Sequence, residues 1–229
     1  MKKQKKKSKE EKNPIKKFWN FIWYDDSLLS YILNLLVAFI FIKFIFFPSV
    51  GFILNNDYPV VAIVSGSMQH KIVEHRICDK YVLKTTTENL NFDSWWNYCG
   101  EYYEKSFNLT KKDLNEFEYS NGLNIGDVMV LYGKNPKDIE VGEVLIFEPQ
   151  NKIFFKNFGP VIHRVVKKWK DENGKWHFQT KGDFNPKSGK NFEDNIIEDK
   201  VIGVPILRVP YLGYLKLILY KGYLFILNK

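Results

Sequence analysis

The sequence is poor in the residues that build metal and redox centres. It has two cysteines, Cys78 and Cys99, and four histidines among 229 residues. The cysteines lack C-x-x-C spacing and no His/Cys cluster surrounds them, which argues against a zinc site. No metal and no cofactor is expected. In an oxidising compartment the two cysteines would pair, and otherwise they would stand as two buried thiols; the sequence leaves both open. Net charge is also scarce over most of the chain. Residues 1–17 hold nine lysines and two glutamates, so seven of the eight net positive charges sit there and one is spread over the rest. That balance excludes a basic nucleic-acid-binding face on the folded part. Long hydrophobic runs are few, and the N-terminal half has one, residues 28–47.

What is present divides the chain in order. Residues 1–17 are too polar to build a core. An aromatic cluster follows, Phe18, Trp19, Phe21, Trp23 and Tyr24, of the kind found where membrane meets water. In residues 28–47 the strongly polar members are Ser30, Asn34 and Lys43. Twenty residues at ~1.5 Å each reach roughly 30 Å, the thickness of a bilayer's hydrocarbon core, so a transmembrane helix and a lipid-bilayer partner are predicted. The run is too long for a cleaved signal peptide, and Pro48-Ser49-Val50-Gly51 is not an A-x-A site. The lysines place residues 1–27 in the cytoplasm and everything after Pro48 outside.

Residues 59–210 read as an antiparallel, mostly β domain. An apolar strand over 59–64 leads into Ser65-Gly66-Ser67-Met68, and Gly-acid turns at Gly126-Asp127 and Gly142-Glu143 feed further buried strands. Residues 161–169 and 175–180 form a hairpin, and a last strand over 201–204 precedes Pro205. Residues 69–124 interrupt this pattern as an irregular or helical insert, with Thr110 a helix cap and Asn108-Leu109-Thr110 a glycosylation sequon. Residues 211–229 are apolar but broken by Lys216, Lys221 and Gly222, which suits association with the membrane surface as well as a span.

Ser67 is a hydroxyl on a glycine-containing turn beside the expected membrane surface. Of the histidines, His70 and His75 fall in the insert and His177 on an outward strand face. His163 sits mid-strand, sharing a face with Val161 and Val165. Asp183 follows the partner strand on a Lys181-Gly182-Asp183 turn. Each has a plain structural explanation when taken singly. Together they are the nucleophile, base and acid of acyl-transfer chemistry.

The set Ser65-Gly66-Ser67-Met68, Gly126-Asp127, His163-Arg164-Val165 and Lys181-Gly182-Asp183-x-Asn185 resembles the membrane-bound signal peptidase I family. The likeness is to its archaeal and endoplasmic-reticulum branch, where a histidine stands in place of a lysine base. It covers the anchor to about Pro210, apart from the insert. The resemblance implies a serine endopeptidase that removes signal peptides from secretory preproteins cut after small residues. The lipid bilayer and the translocation machinery would be its partners. Its home would be the cell membrane, or the endoplasmic-reticulum membrane in a eukaryote. It implies Ser67 as nucleophile, His163 as general base, and Ser65 with the Ser67 N–H as oxyanion hole. Met68 would wall the substrate pocket, and Asp183 would be the acid. Two departures stand out. The family usually has Pro soon after the Ser-x-x, where this chain has Gln69-His70. In eukaryotic members a second aspartate close behind the Lys-Gly-Asp box is the usual acid. Here the next acids are Glu193 and Asp194, so Asp194 is the second candidate after Asp183. The competing readings are a catalytically silent peptide-binding or assembly domain of the same fold, and a Ser/Lys self-cleaving protease using Lys181.

Overall fold

The computed structural model describes residues 13–83, 88–149, 156, 159–190, 192–215 and 218. The expectations for residues 1–12, and most of that for 211–229, fall outside the described residues. The chain forms two compact units, Met1–Val50 and Gly51–Lys229.

In the first unit, helix α1 (Pro14–Tyr24) starts at an Asn13 cap, with proline at its first position, where the missing N–H costs nothing. Helix α2 (Leu28–Phe41) starts at a Ser27 cap. Two polar side chains of the apolar run fold back on α1. Ser30 Oγ donates to the Phe21 and Ile22 carbonyls at 2.8 and 3.0 Å, and Asn34 Nδ2 donates to the Ile22 carbonyl at 2.6 Å. They satisfy carbonyls that the end of α1 leaves open.

The apolar helix continues past Phe47, as a stretch from Leu28 to Ile53 long and apolar enough to cross a membrane. The sequence ends the apolar run at Phe47, just before Pro48, a residue that offers no N–H to the preceding turn. A wider turn over Ile42–Phe46 absorbs the difference: the Phe47 N–H bonds the Ile42 carbonyl five residues back, and α3 (Phe47–Ile53) carries on.

In the second unit, seven antiparallel strands form one sheet in the order β1-β4-β9-β5-β6-β7-β8. They are β1 (Val60–Ala62), β4 (Val128–Tyr132), β5 (Val144–Phe147), β6 (Val161–Lys170), β7 (Trp176–Lys181), β8 (Ile196–Ile197) and β9 (Val201–Val209). Strand β9 runs through Pro205 rather than stopping before it. The register shifts between Val130 and Leu131 of β4, so the proline falls at an irregularity in the ladder, where a missing donor is tolerated. One core cluster gathers Leu145, Phe147, Val165 and Phe178. Another gathers Ile63, Met68, Leu123 and Met129.

The insert is helical, as expected. A short hairpin, β2 (Arg76–Ile77) with β3 (Lys80–Tyr81), precedes α4 (Phe92–Phe107) and α5 (Lys111–Asn115). Asn91 caps α4, and Thr110 with Asp113 forms a reciprocal capping box on α5. The insert has its own aromatic core of Phe92, Trp95, Trp96 and Tyr103, and Cys78 and Cys99 are joined in a disulfide.

Candidate active site

Strand β1 ends at Ala62, and the chain is then fixed by the Ile63 N–H to the Asp127 carbonyl at 2.8 Å. The turn that follows closes with the Gln69 N–H on the Gly66 carbonyl at 3.0 Å. Its apolar member, Met68, is buried against Ile63, Leu123 and Met129, and the Leu123 N–H bonds the Met68 carbonyl at 2.9 Å. Burial of one side chain therefore forces its neighbour Ser67 to the surface of a cleft. Ser65 Oγ lies 3.3 Å from Ser67 Oγ, within hydrogen-bonding reach.

The cleft has a volume of about 1140 Å³, and Val60, Ser65, Ser67, Met68, His163 and Asn185 are among its lining residues. His163 reaches it from β6, where it pairs with Leu145 of β5. The alternation of side chains sends His163 and Val165 to one face and Arg164 to the other. Ser67 and His163 thus meet in one cleft, although no direct hydrogen bond joins them; such bonds are often loose before substrate binds. Gly182 packs between them. A Cβ at that position would lie 2.8 Å from both His163 Nε2 and the Ser67 carbonyl oxygen.

The carboxylate that meets His163 is Glu193. Its Oε2 contacts His163 Nδ1 and accepts from Thr180 Oγ1 at 3.3 Å, and its Oε1 accepts the Gly189 N–H at 2.8 Å. With Glu193 ionised, Nδ1 must carry the proton, which leaves Nε2 as the free acceptor on the Gly182 side.

Asp183 is held elsewhere. Arg164 donates to it twice, Nε to Oδ1 at 3.0 Å and Nη2 to Oδ2 at 2.7 Å. Tyr103 Oη donates to Oδ1 and His70 Nε2 to Oδ2, each at 3.0 Å. Burial alone would raise the Asp183 carboxyl. The Arg164 charge and the bonds from His70 and Arg164 outweigh it, and hold the group well below the usual carboxylate range. Burial lowers the pKa of the His70 ring more than the bond to Asp183 raises it. The Lys181 amine is fully buried, donating to Tyr103 Oη at 3.3 Å and the Gly182 carbonyl at 3.0 Å. Burial takes it down to about 8.

The structure thus brings Ser65, Ser67, Met68 and His163 to one cleft and sends Asp183 into a buried ion cluster. Asp194 is half-buried, and it is its neighbour Glu193 that meets the imidazole. Glu193 is the residue that sequence reasoning passed over. The signal available was its place as the first acid after Asn185, in a turn closed by the Glu193 N–H on the Gly189 carbonyl at 3.1 Å. Among the described residues, no three His, Cys, Asp or Glu side chains gather to hold a metal.

No family model matches the chain. Individual proteins do. The catalytic subunit SEC11 of the signal peptidase complex from Zygosaccharomyces rouxii is 33% identical over 94 residues, 39% of this chain and 53% of that protein. The human SEC11C catalytic subunit is 30% identical over 102 residues, 41% of this chain and 48% of that protein. Its relatives are catalytic subunits of signal peptidase complexes. SEC11 from Fusarium vanettenii is 28% identical over 99 residues. In each case the match spans about half the length of the curated relative.

Proposed function

We propose that this chain is a membrane-anchored serine endopeptidase that removes signal peptides from secretory preproteins, with Ser67 as nucleophile, His163 as general base and Glu193 as the carboxylate behind it. One observation carries the reading: Ser67 and His163 line the same cleft, and a buried carboxylate occupies His163 Nδ1. The relatives, which are named as catalytic subunits of signal peptidase complexes, support the substrate class.

In this reading His163 Nε2 takes the proton as Ser67 Oγ attacks the scissile carbonyl carbon. The same nitrogen returns it to the leaving amine, and water then opens the acyl-enzyme by the reverse path. Glu193 stabilises the imidazolium while it lasts. Ser65 Oγ and the Ser67 N–H receive the oxyanion, so Ser65→Ala is expected to lower kcat about 10²-fold. The preprotein lies extended along β1, an edge strand of the sheet that lines the cleft, with Met68 in the pocket wall. The apolar helix Leu28–Ile53 anchors the domain, the lysine-rich tail stays in the cytoplasm, and the domain lies outside. The Cys78–Cys99 disulfide suits that oxidising side. Contact with the translocation machinery follows from the substrate.

The lysine-based alternative is less well supported, because Lys181 Nζ points into the Tyr103 cluster instead of the cleft. The test is cleavage of a preprotein with an A-x-A site by the full chain in membranes. Ser67→Ala and His163→Ala should abolish product, while Lys181→Met should retain it. Processing by Ser67→Ala at the wild-type rate ends the reading with Ser67 as nucleophile, and no product from the wild-type chain leaves the silent-domain one.

A further inference from the structure

The insert has no part in the chemistry above, yet three of its side chains converge on a single residue outside it. Tyr103 Oη and His70 Nε2 each donate to the Asp183 carboxylate at 3.0 Å, and Trp95 Nε1 donates to the Asp183 carbonyl at 3.3 Å. His70 also stacks flat on Trp95, with ring centroids 4.1 Å apart and planes 5° from parallel. The disulfide fixes α4, which carries Trp95 and Tyr103, to the hairpin that carries Cys78, and Cys78 Sγ lies 3.4 Å from the Asp183 carbonyl oxygen.

Asp183 is in turn one residue from a contact with the nucleophile. The Phe184 N–H bonds the Ser67 carbonyl at 2.8 Å. His70 itself stands three residues after Ser67, where the family resemblance breaks down. The Ser67 turn is therefore pinned from its far end through His70 and from its carbonyl through Phe184, and both pins run through Asp183.

We propose that the insert is a disulfide-tied brace for the nucleophile, in which His70 and Tyr103 are positioning residues that hold Asp183 and, through it, the turn that presents Ser67. Neither residue touches substrate or a reacting atom. A brace of this kind sets the distance from Ser67 Oγ to His163 Nε2, so loosening it slows the chemical step without weakening substrate binding. The inference rests on the serine peptidase reading.

The experiment uses the full chain in membranes or detergent, with kcat and KM measured separately on one A-x-A preprotein. The rate at which a small phosphonofluoridate labels Ser67 is measured in parallel. Tyr103→Phe keeps the ring among Trp95 and Trp96 and removes one donor. It should lower kcat and the labelling rate about tenfold, with KM within about twofold. His70→Leu should do the same or more, and His70→Gln, which restores an N–H donor, should recover most of the loss. Reduction of Cys78–Cys99 in the folded enzyme should lower kcat in the same sense. Wild-type kcat in Tyr103→Phe, or a loss seen in KM alone, overturns the brace. So does His70→Gln failing as badly as His70→Leu while both stay folded. If His70→Leu does not fold, Tyr103→Phe decides. Ser67→Ala is run beside them: if it is inactive while the Tyr103 and His70 variants match wild type, the brace falls and the peptidase reading stands. Activity in Ser67→Ala sinks the peptidase reading itself.

Discussion

The two faces of the β6–β7 hairpin each bury a carboxylate, and the surroundings differ in kind. On one face, with His163, Val165 and Thr180, Glu193 meets the Gly189 N–H, the Thr180 hydroxyl and the His163 ring. On the other face Arg164 stands directly opposite Lys181, and Asp183 meets a guanidinium through two bonds, with Tyr103 and His70 filling its remaining acceptors. A carboxylate clamped by a permanent cation has its charge already spent. It fixes structure and has little left for a proton arriving on a neighbouring ring. A carboxylate among neutral donors keeps its charge available to an imidazole that becomes imidazolium in the reaction. In the reading proposed above, the position that looks catalytic by its Lys-Gly-Asp setting is the structural one, and the catalytic role falls to Glu193.

The sharpest way to break this contrast is to neutralise each carboxylate in turn. Glu193→Gln keeps the shape but offers His163 Nδ1 an amide that can hold the wrong tautomer. The expected outcome is a fall in kcat of roughly 10³–10⁴-fold with a nearly unchanged melting temperature, read by preprotein cleavage and thermal denaturation of the same preparation. If Glu193→Gln cleaves normally, the contrast fails.

Asp183→Asn should show first in stability, with a fall in kcat of about tenfold through the brace, far short of that for Glu193→Gln. It leaves the buried Arg164 guanidinium without its counter-ion, at a cost of about 3–5 kcal/mol in denaturant unfolding. The sign with pH follows from the depressed carboxyl. Stability from the ionised Asp183 is fully present above the ordinary unfolded carboxylate range and is lost only as pH falls through the lower folded value. The wild-type advantage over Asp183→Asn should therefore hold undiminished down to the ordinary carboxylate range and shrink only in stronger acid.

The smallest effect sharpens the comparison on the cation side. The folded Lys181 amine titrates at about 8. In the unfolded chain it titrates at ~10.4. Between those values the unfolded chain keeps a proton that the folded chain has released, so stability rises with pH across that window. The gain is roughly 3 kcal/mol at most. Lys181→Met should remove that rise, seen as the difference between the two proteins in urea unfolding at pH 8 and pH 10, and should leave cleavage at neutral pH within about twofold. A dead Lys181→Met would return the lysine to the reaction.

Much of the architecture was legible beforehand, for local reasons. The 28–47 run gave the apolar helix, the Gly-acid turns gave β4 and β5, and the lysine-rich hairpin gave β6 and β7, because hydrophobic period and turn chemistry are written in neighbouring residues. The same locality misled at the two prolines. At Pro48 a widened turn lets the helix continue, and at Pro205 a register shift does the same for β9. Both depend on what lies a turn or a strand away.

The candidate site divides along the same line. Ser67 was legible as a hydroxyl on a glycine-containing turn that follows an apolar strand. His163 was legible because a strand alternates its faces. By itself the sequence determined which face of β6 carries His163, since that needs only period and burial. It did not determine which acid serves the imidazole. Asp183 lies two residues past the β7 strand's last ladder pair and Glu193 twelve past, and proximity along the chain favours the first. Only the tertiary structure shows which of them meets the ring. The Gly182 turn carries Asp183 to the Arg164 face, where pairing with a buried guanidinium outweighs the cost of desolvation, while the Gly189–Glu193 turn folds the later carboxylate back beneath Thr180 to the face where His163 stands.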